Sequence, residues 1–245
     1  MPELSGARVS SPSAEKWRQR LFGGDEHPYR TFELEVERVL PPGGTLVDAG
    51  CGRTAPVLRK FRDRAGRCIG IDLEDFTEQI PGIELKRGDL ARTGLPDASV
   101  DVIMGRSVME HVTEPELVYA EMHRVLKPGG RFVFLTASLW DYASLIAKAV
   151  PNRLHPWVVA RTEGRAEADV FPTAYKTNTR SAVRRLAAQA GLDVVGFRYL
   201  GQYPAYFMFN GPLFLAASLY EKTIARFEAL HFLRGWILVT LERRG

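Results

Sequence analysis

From Thr45 onward, short apolar runs alternate with segments of helical spacing, and this alternation constrains the fold more than any other feature of the chain. The runs are TLVDA, RCIGIDL, GIELKRGDL, SVDVIMGRS, RFVFLTA, LDVVGFRYL and GWILVTLERR. Several are nearly continuous apolar stretches, the pattern of strands buried on both faces. Among the helix-like segments, TFELEVERVL is amphipathic, and APVLRKFRDRA reads as a basic helix with Val57, Leu58 and Phe61 on one side. TEPELVYAEMHRVLKPGG is the clearest. Thr113 or Glu114 caps its start, Pro115 suits its first turn, and Pro128-Gly129-Gly130 stops it after Lys127. TNTRSAVRRLAAQAG follows the same grammar, with Asn178 or Thr179 as cap and Gly191 as stop. Seven strands interleaved with helices predict an α/β fold, a mostly parallel seven-stranded sheet flanked by helices. Helical or irregular insertions follow the fifth and sixth strands, over 138–175 and 204–233.

The 245 residues are read as a single domain with a flexible N-terminal tail over 1–25. That tail has no apolar core of the kind a secretory signal carries. The net charge of +4 is too small to imply nucleic acid as a partner. Cys51 and Cys68 form neither a disulfide framework nor a metal-ligand spacing, which favours a reducing cytoplasm and no metal. The most apolar stretch, AYFMFNGPLFLAASLY, is interrupted by Asn210, Gly211 and Pro212, so it is read as buried or interfacial rather than spanning a membrane.

The first strand ends in VDAGCGRT. A strand that runs into Gly-x-Gly is either a tight turn or a place where a ligand approaches the backbone. Two acids decide between these. Asp72 ends the second strand, twenty residues after Gly52, where a carboxylate accepts hydrogen bonds from both ribose hydroxyls. Asp48 sits in the first loop itself. A carboxylate there repels a pyrophosphate and suits an ammonium or sulfonium group, which argues against a nicotinamide dinucleotide and for S-adenosylmethionine.

VDAGCGRT, IGIDL, GDL, PDASVDVIMGRSVMEHV and EMHRVLKPGGRFVFLT, taken in order, resemble a class I S-adenosylmethionine-dependent methyltransferase. The chain is similar to the broad bacterial group that includes quinone-biosynthesis and other small-molecule methyltransferases. The resemblance is strong from Leu46 to Thr136 and looser beyond. It implies a Rossmann-like sheet and S-adenosylmethionine as cofactor. It further implies that Asp48, Gly50 and Gly52 line the methionine end, that Asp72 holds the ribose and that Leu73 packs on the adenine. Asp89 would sit beside the adenine amino group with Leu90 giving a backbone contact, and Arg106 and Ser107 would close the loop beneath the methionine. Thr54 stands where a third glycine is frequent, and an N-cap role would accommodate it.

For the acceptor, His111 in MEHVTEP is the candidate general base, with Glu110 either orienting it or forming a salt bridge. His27, Tyr29 and Arg30, ahead of the first helix, are either a lid or surface residues. Tyr175, Lys176 and Asn178 either bind a polar acceptor or cap a helix. The insertions carry Trp140, Tyr142, Leu145, Ile146, Trp157, Tyr203, Tyr206, Phe207, Phe209 and Phe214, which form either a structural cap or a hydrophobic pocket or membrane-facing patch. The resulting expectation is methyl transfer to a small or lipid-linked metabolite, on oxygen, with peripheral membrane contact as an accompanying expectation. The competing expectation is a cofactor-binding scaffold without activity. A nicotinamide oxidoreductase would need a third loop glycine and a Tyr-x-x-x-Lys pair, and an RNA methyltransferase an NPPY-like or cysteine-based motif. None of these is present.

Overall fold

The computed structural model describes residues 10–142 and 172–245. The chain groups into two compact units. Unit 1 takes the N-terminal residues through Pro28, Ser138–Pro172 and Tyr199–Trp236; unit 2 takes Tyr29–Ala137, Thr173–Arg198 and Ile237–Gly245. The stretches expected as insertions thus belong largely to unit 1.

Seven strands form one sheet: β1 (Thr45–Ala49), β2 (Arg67–Asp72), β3 (Glu84–Arg87), β4 (Val100–Arg106), β5 (Leu126–Ala137), β6 (Leu192–Leu200) and β7 (Trp236–Arg243). Their spatial order is β3-β2-β1-β4-β5-β7-β6. From β3 to β5 every ladder is parallel; Val47 pairs with both Ile69 and Ile103, and Met104 pairs with Val133. The chain moves outward from β1 through β2 to β3, then resumes at β4 on the other side of β1. Ligands in open α/β sheets bind at such a reversal, outside the carboxyl ends of the strands. Leu46, Val47, Ile69, Ile71, Val102, Ile103 and Phe132–Leu135 are buried, as a sheet covered on both faces requires.

The helices of unit 2 are α2 (Pro28–Val39), α3 (Pro115–Val125) and α4 (Arg180–Ala190). Tyr119 of α3 is fully buried and meets Phe132 and Phe134 edge-on at 6.4 and 6.3 Å. Thr179 caps α4 through a 3.2 Å bond from the Ala182 N–H, and Gly191 closes it at φ 75°. Asn178 is not the cap. Its Nδ2 donates instead to Thr136 Oγ1 and to the Ala137 carbonyl.

Three local expectations are corrected. No basic α-helix follows β1; a single 3-10 turn, Leu58–Phe61, takes its place. Ala55 adopts φ 43° ahead of Pro56, and a residue before proline is held out of the helical region. Thr54 therefore caps nothing: it is exposed, its carbonyl accepts from Arg59 Nε at 2.8 Å, and the turn has no side-chain cap. Third, α3 stops at Val125 and β5 begins at Leu126, before the Pro-Gly-Gly. Lys127 bonds Asp101 Oδ2 at 2.7 Å, which also takes the Thr45 N–H at 2.8 Å, so this pairing fastens the starts of β1 and β5 to β4.

In unit 1, residues 12–22 are not a flexible tail but helix α1 (Pro12–Phe22), capped by Ser11. Helix α5 (Gly211–Arg226) begins at the Asn210-Gly211-Pro212 interruption, with Asn210 Oδ1 accepting the Leu213 N–H at 3.0 Å. Ala14 and Phe22 of α1 bury against Met208 and Phe214, with Trp17 and Phe207 packed beside them. Phe214 is fully buried, so it is a core residue rather than part of an acceptor-facing or membrane-facing patch. Leu145, Ile146 and Trp157 lie outside the described residues.

Candidate active site

Strands β1, β2 and β4 bring Asp48, Asp72 and Arg106 together at their carboxyl ends. Asp48 is only 2% exposed, and one carboxylate oxygen, Oδ2, is buried with no hydrogen-bond partner. Burial, above all, pushes its pKa from 3.8 up to about 7; Asp72 adds to the rise, while Arg106 and a backbone N–H bond from Leu58 oppose it. An orphaned carboxylate oxygen in the core costs free energy unless a cation or a donor reaches it. Ser107, just past β4, repeats the pattern: its Oγ is buried and unpartnered, and its backbone sits at φ 56°.

The two loop glycines have different reasons to be glycine. Both lie at positive φ, 76° for Gly50 and 72° for Gly52. A Cβ on Gly50 would fall 2.5 Å from Val108 Cγ2, so protein packing already explains that residue. A Cβ on Gly52 would meet nothing within 4 Å. There the backbone faces open space, the arrangement a ligand needs for close approach.

Asp72 holds this turn in place. Its Oδ2 accepts the Gly52 N–H at 2.7 Å and its Oδ1 the Glu74 N–H at 3.0 Å. A carboxylate offers about four lone-pair positions, so each oxygen keeps capacity for one further donor. Leu73 beyond it is 61% exposed, an apolar side chain left uncovered. The Asp72 carbonyl takes the Gly88 N–H at 2.8 Å, which brings the GDL turn alongside. Asp89 there is exposed and folds its Oδ1 onto the Ala91 N–H, whereas Leu90 is buried.

Arg106 is fixed from a direction the sequence did not reveal. Its guanidinium lies 4.3 Å from the Tyr29 ring centre, and Nη1 is 3.9 Å from Glu33 Oε1, which also binds Lys60 Nζ at 2.5 Å. Tyr29 and Arg30 belong to the first turn of α2 rather than preceding it. Glu33 sits on what reads as the polar face of an amphipathic helix, yet it is 5% exposed. No local pattern marks that.

His111 lies in the turn after β4, half-buried, its N–H donating to the Val108 carbonyl at 3.0 Å. Its neighbour Glu110 is buried and accepts from Thr136 Oγ1 at 2.7 Å, while the Glu110 carbonyl takes the Ala174 and Tyr175 N–H groups. Glu110 thus ties the post-β4 turn to β5 and to the 174–178 segment. Lys176 Nζ is bound to the Thr113 carbonyl at 2.7 Å, and Thr177 Oγ1 to that of Met109 at 3.0 Å. The polar groups read as an alternative acceptor site therefore brace this turn. Among the described residues no group of acids, histidines or cysteines has a metal-binding arrangement.

An unpaired carboxylate oxygen, an unpaired hydroxyl, an open glycine and an uncovered leucine fit a cofactor with a cationic amino-acid end, a ribose and a flat base. Comparison with known proteins agrees. Residues 47–134 match the family model described as a methyltransferase domain. A probable S-adenosylmethionine-dependent methyltransferase of Mycolicibacterium smegmatis is 36% identical over 115 residues, covering 44% of this chain and 44% of that protein. A ubiquinone/menaquinone biosynthesis C-methyltransferase of Ralstonia nicotianae is 25% identical over 192 residues, covering 72% and 78%. A solved S-adenosylmethionine-dependent methyltransferase of Mesorhizobium loti superposes with a TM-score of 0.56 at 20% identity, over 86% of this chain and 96% of that one. The chain spans less than half the length of the curated relatives it matches at 34–37% identity. Residues 47–134 thus match a methyltransferase domain, and the strand-end acids, the loop glycines and the sheet order lie within and around that match.

Proposed function

We propose that the protein transfers a methyl group from S-adenosylmethionine to a small-molecule acceptor, and that oxygen is the atom methylated. The observation that carries the cofactor half is the orphaned Asp48 carboxylate at the end of β1, beside the open Gly52. In this reading Asp48 receives the methionine ammonium, with Gly50 and Gly52 forming the turn around that end. Asp72 takes the ribose hydroxyls on its spare lone pairs, Leu73 covers the adenine, and Asp89 and Leu90 meet its amino edge. Ser107 Oγ supplies a hydrogen bond to the methionine part, and Arg106, held by Tyr29 and Glu33, offsets the negative charge of Asp48 and Asp72.

The cofactor supplies an electrophilic methyl on a sulfonium, and the protein contributes position and proton removal. In-line approach of an acceptor oxygen provides most of the acceleration in such transfers. His111 serves as the base that takes the hydroxyl proton. A lipid-linked acceptor and peripheral membrane contact are supported by Phe209, Leu213, Leu215 and Leu219 of unit 1, all large apolar side chains left exposed. No helix among the described residues is long and apolar enough to cross a membrane.

The deciding experiment is an acceptor screen that reads S-adenosylhomocysteine release and locates the new methyl by mass spectrometry and NMR. Methylation on carbon, the chemistry named for the Ralstonia relative, would overturn the oxygen assignment. No cofactor binding at all would overturn the whole reading. His111→Ala is expected to lower turnover by about 10²-fold or more, the usual worth of a general base, while cofactor affinity stays unchanged. Full turnover would reduce His111 to a structural role. Gly52→Val should fold with a loss of roughly 1–2 kcal/mol for a side chain at positive φ. It should then show no thermal shift with S-adenosylhomocysteine; a shift as large as the wild type's would mean the open space at Gly52 is not the cofactor's.

A further inference from the structure

Asp48 and Arg106 carry opposite charges at the carboxyl end of the sheet, yet the protein keeps them apart. Asp48 pairs in register with Met104, and Arg106 stands two residues beyond Met104, so both side chains leave the same face of the sheet. They are close enough for Arg106 to oppose the rise in the Asp48 pKa. Even so, the ion pair that Arg106 makes is with Glu33, and Asp48 Oδ2 stays buried with no hydrogen-bond partner. A buried carboxylate oxygen without a donor draws the nearest cation toward it. Something must oppose that closure.

Two side chains of α2 do so. The Tyr29 ring centre lies 4.3 Å from the guanidinium, and Glu33 Oε1 is 3.9 Å from Nη1. Glu33 is itself fixed. It is buried, Lys60 Nζ bonds the same Oε1 at 2.5 Å, and Arg30 Nη1 lies 3.7 Å from Oε2. Lys60 comes from the 3-10 turn after β1 and Arg30 from the first turn of α2, so two elements anchor this acid. A cation–π contact and a long ion pair are each modest. Together they hold the guanidinium on the α2 side.

The methionine end of S-adenosylmethionine carries both an ammonium and a carboxylate. An aspartate and an arginine closed on each other would use up the charge each could offer to that end. Held apart, each keeps capacity for the opposite group of the ligand. We propose that Tyr29 and Glu33 are positioning residues that hold Arg106 off Asp48, so that the pair stays open for the two charges of the methionine end. This rests on the cofactor reading above, and it gives a reason for a buried acid on the polar face of α2.

The test is calorimetry on the full chain with S-adenosylhomocysteine and with methylthioadenosine, which keeps the ribose and adenine but lacks the amino-acid end. Glu33→Gln is expected to weaken S-adenosylhomocysteine binding by about tenfold, the worth of one contact to a charged group, and Tyr29→Leu by about threefold or more, the worth of a cation–π contact. Methylthioadenosine affinity should be unchanged in both. Tyr29→Phe keeps the ring face and should rescue the loss seen in Tyr29→Leu. With Arg106 closed on Asp48 the carboxyl ionises at lower pH, so in both weakened variants S-adenosylhomocysteine affinity should level off below the wild type's pH of about 7. Asp72, Arg106, Cys51 and Cys68 are the charged or titratable groups coupled to Asp48. A ligand-free crystal structure of the double variant Tyr29→Leu, Glu33→Gln should place Arg106 within hydrogen-bond distance of Asp48. Equal weakening of both ligands, unchanged S-adenosylhomocysteine affinity in both single variants, or an Arg106 that stays away from Asp48 in the double variant would overturn the proposal. S-adenosylhomocysteine binding that ignores Asp48→Asn would instead overturn the cofactor reading, whatever position Arg106 takes in the ligand-free structure.

Discussion

Asp72→Ala is expected to abolish measurable binding of S-adenosylhomocysteine by calorimetry. Two losses combine in this variant. The ribose loses its carboxylate, and hydrogen bonds to a charged acceptor are each worth about 1.5–3 kcal/mol. The Gly52 N–H also loses its 2.7 Å partner, so the turn after β1 loses the contact that sets its position. Two such bonds correspond to an affinity loss on the order of 10²-fold or more. The rest of the sheet should be intact, because Asp72 is half-buried at a strand end and its β2 neighbours pair through backbone. Affinity within a few-fold of the wild type's, in a protein of unchanged circular dichroism, would remove the ribose assignment.

Asp48→Asn is expected to raise the melting temperature of the ligand-free protein at pH 8 while weakening cofactor binding. The folded protein holds this carboxyl at about 7 against an ordinary 3.8, because burial penalises its charge. The folded state therefore binds more protons than the unfolded chain across that window. Stability falls as pH rises from about 4 to about 7 and levels off above, and the difference amounts to roughly 4 kcal/mol. Asparagine fills the same space without the charge, so the variant and the wild type should melt alike near pH 4 and diverge by pH 8. The cofactor gives the opposite sign. An ammonium group stabilises the ionised carboxylate, so wild-type affinity should climb by up to about tenfold per pH unit below about pH 7 and flatten above it. Superimposable stability profiles for wild type and variant would show that Asp48 is not the buried charge described here.

Together the two variants separate the ends of the cofactor. The penalty at Asp48 should shrink as pH falls and the wild-type carboxyl takes up its proton. That dependence follows from burial, since Asp48 lies within the sheet and its charge is penalised there.

Much of unit 2 was legible in the chain because its signals are local. Apolar runs of strand length, a Gly at φ 75° closing α4 and a threonine capping it are properties of adjacent residues, and they lie where the pattern placed them. The positions of Asp48 and Asp72 were legible for the same reason, each standing at the end of a strand that could itself be read. Where the local signal was permissive, longer-range contacts decided. Lys127 suited a helix terminus but bonds Asp101, and APVLRKF suited a helix until Ala55, ahead of Pro56, took a left-handed conformation.

Glu33, Glu221 and Asp141 mark where local reading stops. Each looks like an ordinary charged surface residue, and each is buried by elements far away in the chain. The same holds for Phe214, whose aromatic character suggested a binding surface until α1, a segment with the composition of a tail, covered it. By itself the sequence determined the strand pattern, the cofactor class and which acids stand at the strand ends, since strand length, turn chemistry and charge act between near neighbours. Only the tertiary structure decided that Gly50 serves packing while Gly52 faces open space, that Thr54 caps nothing, and that an acid pair lies buried in unit 1. Those distinctions depend on which distant atoms come within a few ångströms of a side chain, and a linear pattern does not encode that.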